Sequence, residues 1–155
     1  MNSAFVDIVV TDTINPLPGA IFSADSLPPW ALGARLDARP IAIVDDDKWV
    51  LRSMGRLIMS AGFRVETFLT AEEFLESARD SKTVCAILDI GLPGMSGLDL
   101  QERLAVENPQ IRVIVVSAHD ETEMRTRAVA AGAVAFLGKP VNDKVLLEAI
   151  NSAVK

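Results

Sequence analysis

Four points in the chain carry side chains suited to acid, hydroxyl or amine chemistry: the run Asp45-Asp46-Asp47, then Asp89, Ser117 and Lys139. Each closes a short apolar run. Ile41-Ala42-Ile43-Val44 leads into the three acids, Val84-Cys85-Ala86-Ile87-Leu88 into Asp89, Ile111 to Val116 into Ser117, and Val134 to Leu137 into Gly138 and Lys139. Short apolar runs that end at turn residues read as buried parallel strands, so every one of these polar groups stands at a strand's carboxyl end. In open α/β sheets that edge binds ligands, because the connecting loops part there and helices aim their amino termini at it. Carboxylates brought together there raise one another's pKa or recruit a cation, and hard oxygen ligands that keep some water favour magnesium. With a hydroxyl and an amine added, the set suits phosphoryl transfer: cation and amine neutralise the moving oxygens, the hydroxyl donates to one of them, and an aspartate is the nucleophile.

The elements that must position these residues alternate from Pro40 onward. After the first strand, Val50, Leu51, Met54, Leu57, Ile58 and Ala61 recur at helical spacing, with Gly62 placed to stop the helix. Phe63 to Phe68 gives a second strand, and Thr70-Ala71-Glu72-Glu73 offers a capping box for a helix with Phe74, Leu75 and Ala78 on its apolar stripe. Past Asp89, Ser96 or Gly97 opens a helix carrying Leu98, Gln101, Leu104 and Ala105, which Asn108-Pro109 ends. Asp120 is a candidate cap for the fourth helix, with Met124, Ala128 and Ala131, and Asn142 for the fifth, with Val145, Leu146, Ala149, Ile150 and Ala153. Strands alternating with helices imply crossover connections and hence a parallel sheet covered on both faces. The simplest such fold is a flavodoxin-like (βα)5 doubly wound sheet of strand order 2-1-3-4-5, in which Asp45 and Asp46 face Asp89 across neighbouring strands.

Residues 1–39 read differently. Pro16, Pro18, Pro28 and Pro29 interrupt short apolar pieces, so this segment is expected to be an arm without a fold of its own, preceding a domain over 40–155. A short strand at 4–10 and helical turns at 30–36 are the most it offers. The bulk numbers narrow the function. A chain of 155 residues, half of them hydrophobic, has room for one ordinary core. Its formal charge of −6 and lack of any Lys/Arg cluster argue against direct nucleic-acid binding. The single cysteine, Cys85, excludes an internal disulfide and reads as a small buried hydrophobe, which fits a reducing cytoplasm. No membrane span or signal peptide is expected.

The motifs Val44-Asp45-Asp46-Asp47, Leu88-Asp89, Pro93-Gly94-Met95-Ser96-Gly97, Val116-Ser117-Ala118 and Leu137-Gly138-Lys139-Pro140, in that order, resemble the receiver domain of two-component response regulators. Ser60-Ala61-Gly62-Phe63 and Pro93 to Gln101 resemble the FixJ/NarL-like branch in particular. The resemblance covers Pro40 to Lys155 and implies that Asp89 accepts a phosphoryl group from a sensor histidine kinase or a histidine phosphotransfer protein. It implies that Asp46 and Asp89 ligate Mg2+ (or Mn2+) directly, that Asp45 acts through a bound water, and that the Gly91 backbone carbonyl supplies a further ligand. Ser117 and Lys139 are implied to bond phosphoryl oxygens. Ser117 and Phe136 match the switch pair that remodels the face of the fourth helix, fifth strand and fifth helix, where a downstream protein or a second copy would dock. Such a domain is not an enzyme in the ordinary sense, since it catalyses only its own phosphotransfer and dephosphorylation. Phe136 lacks the hydroxyl many relatives carry there, while Gly91 and His119 occupy positions that set phosphate lifetime. Members of this branch usually continue into a DNA-binding domain, whereas this sequence stops after the fifth helix.

Blander readings stand beside these. The three acids could be helix-start acids, favourable by about 0.3–1 kcal/mol each; Asp89 could merely cap a turn; Lys139 could be a solvated strand end. The joint occurrence at four strand ends is what favours chemistry. The other function classes are a pseudo-receiver that works as an unphosphorylated interaction module, and a cofactor-binding or hydrolytic α/β protein. The spacing of Asp45 and Asp47 fits an aspartate-based phosphatase, but no glycine-rich phosphate loop follows the first strand.

Overall fold

The computed structural model describes residues 39–154 apart from 120. The expected arm elements and the Asp120 cap lie outside the described residues. Ten elements alternate: β1 (Ile41–Val44), α1 (Lys48–Ser60), β2 (Val65–Phe68), α2 (Ala71–Ala78), β3 (Cys85–Asp89), α3 (Gly97–Glu107), β4 (Arg112–Ser117), α4 (Thr122–Ala130), β5 (Ala135–Gly138) and α5 (Asp143–Ala153). All four pairings are parallel and the order is β2-β1-β3-β4-β5, the expected flavodoxin-like sheet. Val44 pairs with Leu88, Asp89 with Val116 and Ser117 with Gly138, so the strands bearing the reactive residues end nearly level.

The two-residue period of a strand sorts the core into two layers. Ile41, Ile43, Cys85, Ile87, Ile114 and Val116 pack with Leu51, Met54 and Ile58 of α1 and Leu146, Ile150 and Ala153 of α5. Ala42, Val44, Ala86, Leu88, Val113 and Val115 face the other way, against Phe74 of α2, Leu98 and Leu104 of α3 and Ala128 of α4. Phe74 is fully buried, its ring tilted 59° to that of Phe68 at 5.2 Å. Losing so large a buried side chain typically costs about 3–5 kcal/mol.

Local chemistry fixes where the helices start and stop. Asp47, Thr70, Ser96 and Asn142 each accept a hydrogen bond from a first-turn amide, of Trp49, Glu73, Asp99 and Val145 respectively. The capping box closes as expected, except that the Glu73 carboxylate reaches the N–H of Leu69 rather than that of Thr70. Gly62 and Gly132 sit just beyond α1 and α4 at φ +97° and +95°, a backbone region where a side chain would be strained. Helix α4 differs from the rest: Glu121 at its start makes no side-chain cap, and Ala128 is its only buried residue. No helix among the described residues is long and apolar enough to cross a membrane.

Candidate functional site

Asp45 directly follows β1 and Asp89 closes β3, and both continue the alternation that faces α1 and α5. Lys139, two residues beyond Leu137, follows the same parity from β5 and meets them: its Nζ lies 2.9 Å from Asp45 Oδ2 and 3.3 Å from Asp89 Oδ1. One carboxylate oxygen from each of Asp45, Asp46 and Asp89 lies within 4.8 Å of the others. Asp45 and Asp89 are buried, at 3% and 7% exposure, while Asp46 is exposed. The acid run thus divides by backbone path. Asp45 follows β1 with its N–H on the Phe68 carbonyl and takes the Asp47 N–H on Oδ1 at 2.8 Å; Asp46 is exposed; Asp47 caps α1 through Trp49 N–H at 2.8 Å. The helix-start reading therefore holds for Asp47, which leaves no second acid at that position for a phosphatase-like pair.

Burial and the neighbouring Asp45 charge raise the Asp89 pKa, and the Lys139 ammonium and the Gly91 N–H only partly offset them. Burial alone would lower the Lys139 pKa, but its bond to Asp45 and the Asp89 charge hold it above the usual lysine value. Three carboxylates against one ammonium leave a formal surplus of two negative charges around hard oxygen donors. That donor set and that surplus fit a divalent cation of the magnesium type.

The loop after β3 is held tightly to that strand. The Leu92 and Gly97 N–H groups both bond to the Ile90 carbonyl, at 2.9 and 3.1 Å. A Cβ on Gly97 would stand 2.2 Å from the Asp89 carbonyl oxygen, so only glycine lets α3 begin this close to β3. Glu72 of α2 accepts the Met95 N–H at 3.2 Å beneath Gly94, whose φ is +72°. Gly91 is exposed beside the Asp89 carboxylate. Nothing in the sequence singled out Gly97 or Glu72 for these tasks, although the Ser96-Gly97 pair marked the helix start.

Ser117 and Phe136 belong to the other side of the sheet. Ser117 is buried, and its hydroxyl is engaged by its own loop, donating to the His119 carbonyl at 2.6 Å and accepting the His119 N–H at 3.0 Å. The Lys139 N–H in turn bonds the Ser117 carbonyl at 2.8 Å, tying the ends of β4 and β5 together. Phe136 is 9% exposed and packed into the core, with the Arg125 guanidinium 4.6 Å above its ring. His119 itself is exposed. The structure therefore brings Asp45, Asp46, Asp89 and Lys139 together and sets Ser117 one strand away.

The sequence model of the family described as response regulator receiver domain matches residues 41–151. Among curated proteins, the response regulator protein TmoT of Ectopseudomonas mendocina is 43% identical over 74% of this chain and 52% of its own length. TodT of Pseudomonas putida is 42% identical over 76% and 52%, and the transcriptional regulatory protein FixJ of Rhizobium meliloti 36% identical over 73% and 55%. The chain thus spans about half the length of these relatives. Among solved structures, a CheY-like receiver domain protein from Methanospirillum hungatei superposes with a TM-score of 0.73 at 34% identity, over 76% of this chain and 94% of that one.

Proposed function

The chain belongs to the family of response regulator receiver domains, phosphoacceptor modules of two-component signalling, and on that premise we propose that Asp89 is its phosphoacceptor. The observation that carries the assignment is the meeting of Asp45, Asp46, Asp89 and Lys139 at one sheet edge, with Asp89 buried beside the exposed Asp46. The donor is a phosphohistidine on a sensor histidine kinase or a histidine phosphotransfer protein. An Asp89 carboxylate oxygen attacks phosphorus in line, the phosphorus–nitrogen bond breaks, and the departing imidazole keeps the electron pair and takes up a proton. In the reverse half, water attacks phosphorus, the acyl phosphate bond breaks, and Asp89 and inorganic phosphate are released. No external metabolite is turned over.

Asp46 and Asp89 would hold Mg2+ (or Mn2+) directly, Asp45 through a water, and the Gly91 carbonyl would add a ligand. When bound, the cation supplies charge neutralisation at the phosphoryl oxygens. Lys139 is already within reach of Asp89 and donates to one phosphoryl oxygen. Ser117 donates to another once its hydroxyl leaves His119. With Phe136 it forms the switch that changes the α4–β5–α5 surface toward a downstream protein or a second copy. Residues 40–155 are the receiver, and 1–39 are an arm outside it.

Incubation with acetyl phosphate and MgCl2 tests the chemistry. The bound phosphate is expected to be released by neutral hydroxylamine, as an acyl phosphate is and a serine or threonine ester is not; hydroxylamine-resistant phosphate would overturn the assignment.

A further inference from the structure

Helix α4 packs Ala128 and Met124 into the core and sets Arg125 over Phe136 of β5, and its side-chain hydrogen bonds to α3 come from Gln101 and Arg127. Its single buried residue is Ala128, and it begins without a side-chain cap. Gln101 of α3, only 1% exposed, donates its Nε2 to the Ala128 carbonyl at 2.9 Å across 27 residues of sequence. That carbonyl also accepts the Ala133 N–H at 3.0 Å, so its place in the helix terminus does not depend on Gln101. On the surface alongside, the Arg127 guanidinium grips both oxygens of Glu102, at 3.0 and 2.9 Å, and reaches Asp99 Oδ1 at 3.0 Å. Two parallel N–H···O bonds of this kind fix orientation as well as distance. Both partners of Arg127 and the Gln101 amide ride on α3, the helix whose first residue is packed against the Asp89 carbonyl.

The connection into the other end of α4 begins at Ser117. Only four residues separate Ser117 from Thr122, and the hydroxyl that must turn toward a phosphoryl group is spent on the His119 backbone between them. Freeing it releases the His119 backbone, which lies on the way into α4. A contact that holds α4 in its present seat therefore opposes that release.

We infer that Gln101 and Arg127 form a latch from α3 onto α4, restraining the output face while Ser117 is held by its own loop. The latch thereby sets how readily Asp89 takes a phosphoryl group. It rests on the receiver function proposed above and adds a regulator of the same site. By linkage, weakening a contact that favours the resting arrangement must tighten binding of any ligand that prefers the other one.

The test is the affinity of the full chain for beryllofluoride, a phosphoryl mimic, in MgCl2, measured by titration calorimetry on the wild type, Gln101→Leu and Arg127→Gln. Leucine removes the amide while filling its buried space, so the variant is expected to fold. Gln101→Leu is expected to bind roughly three- to tenfold more tightly, the range one net hydrogen bond spans in an equilibrium. Arg127→Gln is expected to gain about twofold, as exposed ion pairs contribute less. Wild-type affinity in both variants, even with a lowered thermal midpoint, would mean that these residues merely pack α4 and would overturn the latch, as would weaker binding. Failure of the wild type itself to bind beryllofluoride would bring down the receiver function, and the latch with it.

Discussion

Asp89 is an expensive residue in the absence of a ligand. Its carboxyl is buried beside Asp45 and its pKa is raised, so folding favours the protonated form. A group raised in this direction lends stability that is complete below its ordinary value near 3.8 and is lost as pH rises through the folded-state value. At neutral pH and without divalent cation, Asp89→Asn is therefore expected to melt at a higher temperature than the wild type, and the gap is expected to close on acidification; a variant that melts lower at pH 7 would contradict this. The residue types were legible in the sequence, as was the meeting of Asp45, Asp46, Asp89 and Lys139, because strand ends and strand order place them on one edge; that the Ser117 hydroxyl turns to its own loop was not. The division of labour within Asp45-Asp46-Asp47 was not, since it depends on where the backbone leaves the sheet and turns into α1. Asp47→Ala should cost about 1 kcal/mol by loss of the cap while leaving the phosphoryl adduct intact, with urea denaturation and intact mass as the two readouts.

At the scale of elements, the fold follows from period and punctuation, and these were read with small displacements. The first strand matches its expected bounds, Thr70 and Asn142 cap as expected, and Gly62 stops α1. The third helix buries Leu98, Leu100, Gln101 and Leu104, whereas Ala105, expected on the stripe, is exposed near the helix's end. Val145, similarly expected on the stripe of α5, is 44% exposed. Side-chain spacing gives the buried face of a helix but not where that face stops covering the sheet. Contacts between backbones are still less visible: no pattern of residues announces that α3 starts against the Asp89 carbonyl. Gly97→Ala is expected to destabilise the domain by about 1–3 kcal/mol, the range for forced overpacking, and, on the proposed function, to slow phosphorylation as β3 shifts. Unchanged stability by denaturant titration would show that the close approach is relieved at no cost.

On the scale of the whole molecule, the acid–lysine cluster and the Ser117/Phe136 pair continue opposite parities of one sheet. Asp45, Asp89 and Lys139 follow the parity of the α1/α5 layer, Phe136 lies in the α2–α4 layer, and Ser117 continues that second parity at the end of β4. In the proposed function a phosphoryl group on Asp89 acts on Ser117 and Phe136 across the sheet, so every later step depends on the identity of the acceptor. The measurement that tests it most directly is intact mass after incubation with acetyl phosphate and MgCl2, followed by peptide mapping, for the wild type and Asp89→Asn. The account predicts a gain of about 80 Da, one phosphoryl group, in the wild type, located on Asp89 and absent from the variant. An adduct that persists in Asp89→Asn, or that maps to Asp45, Asp46 or Ser117, would contradict it.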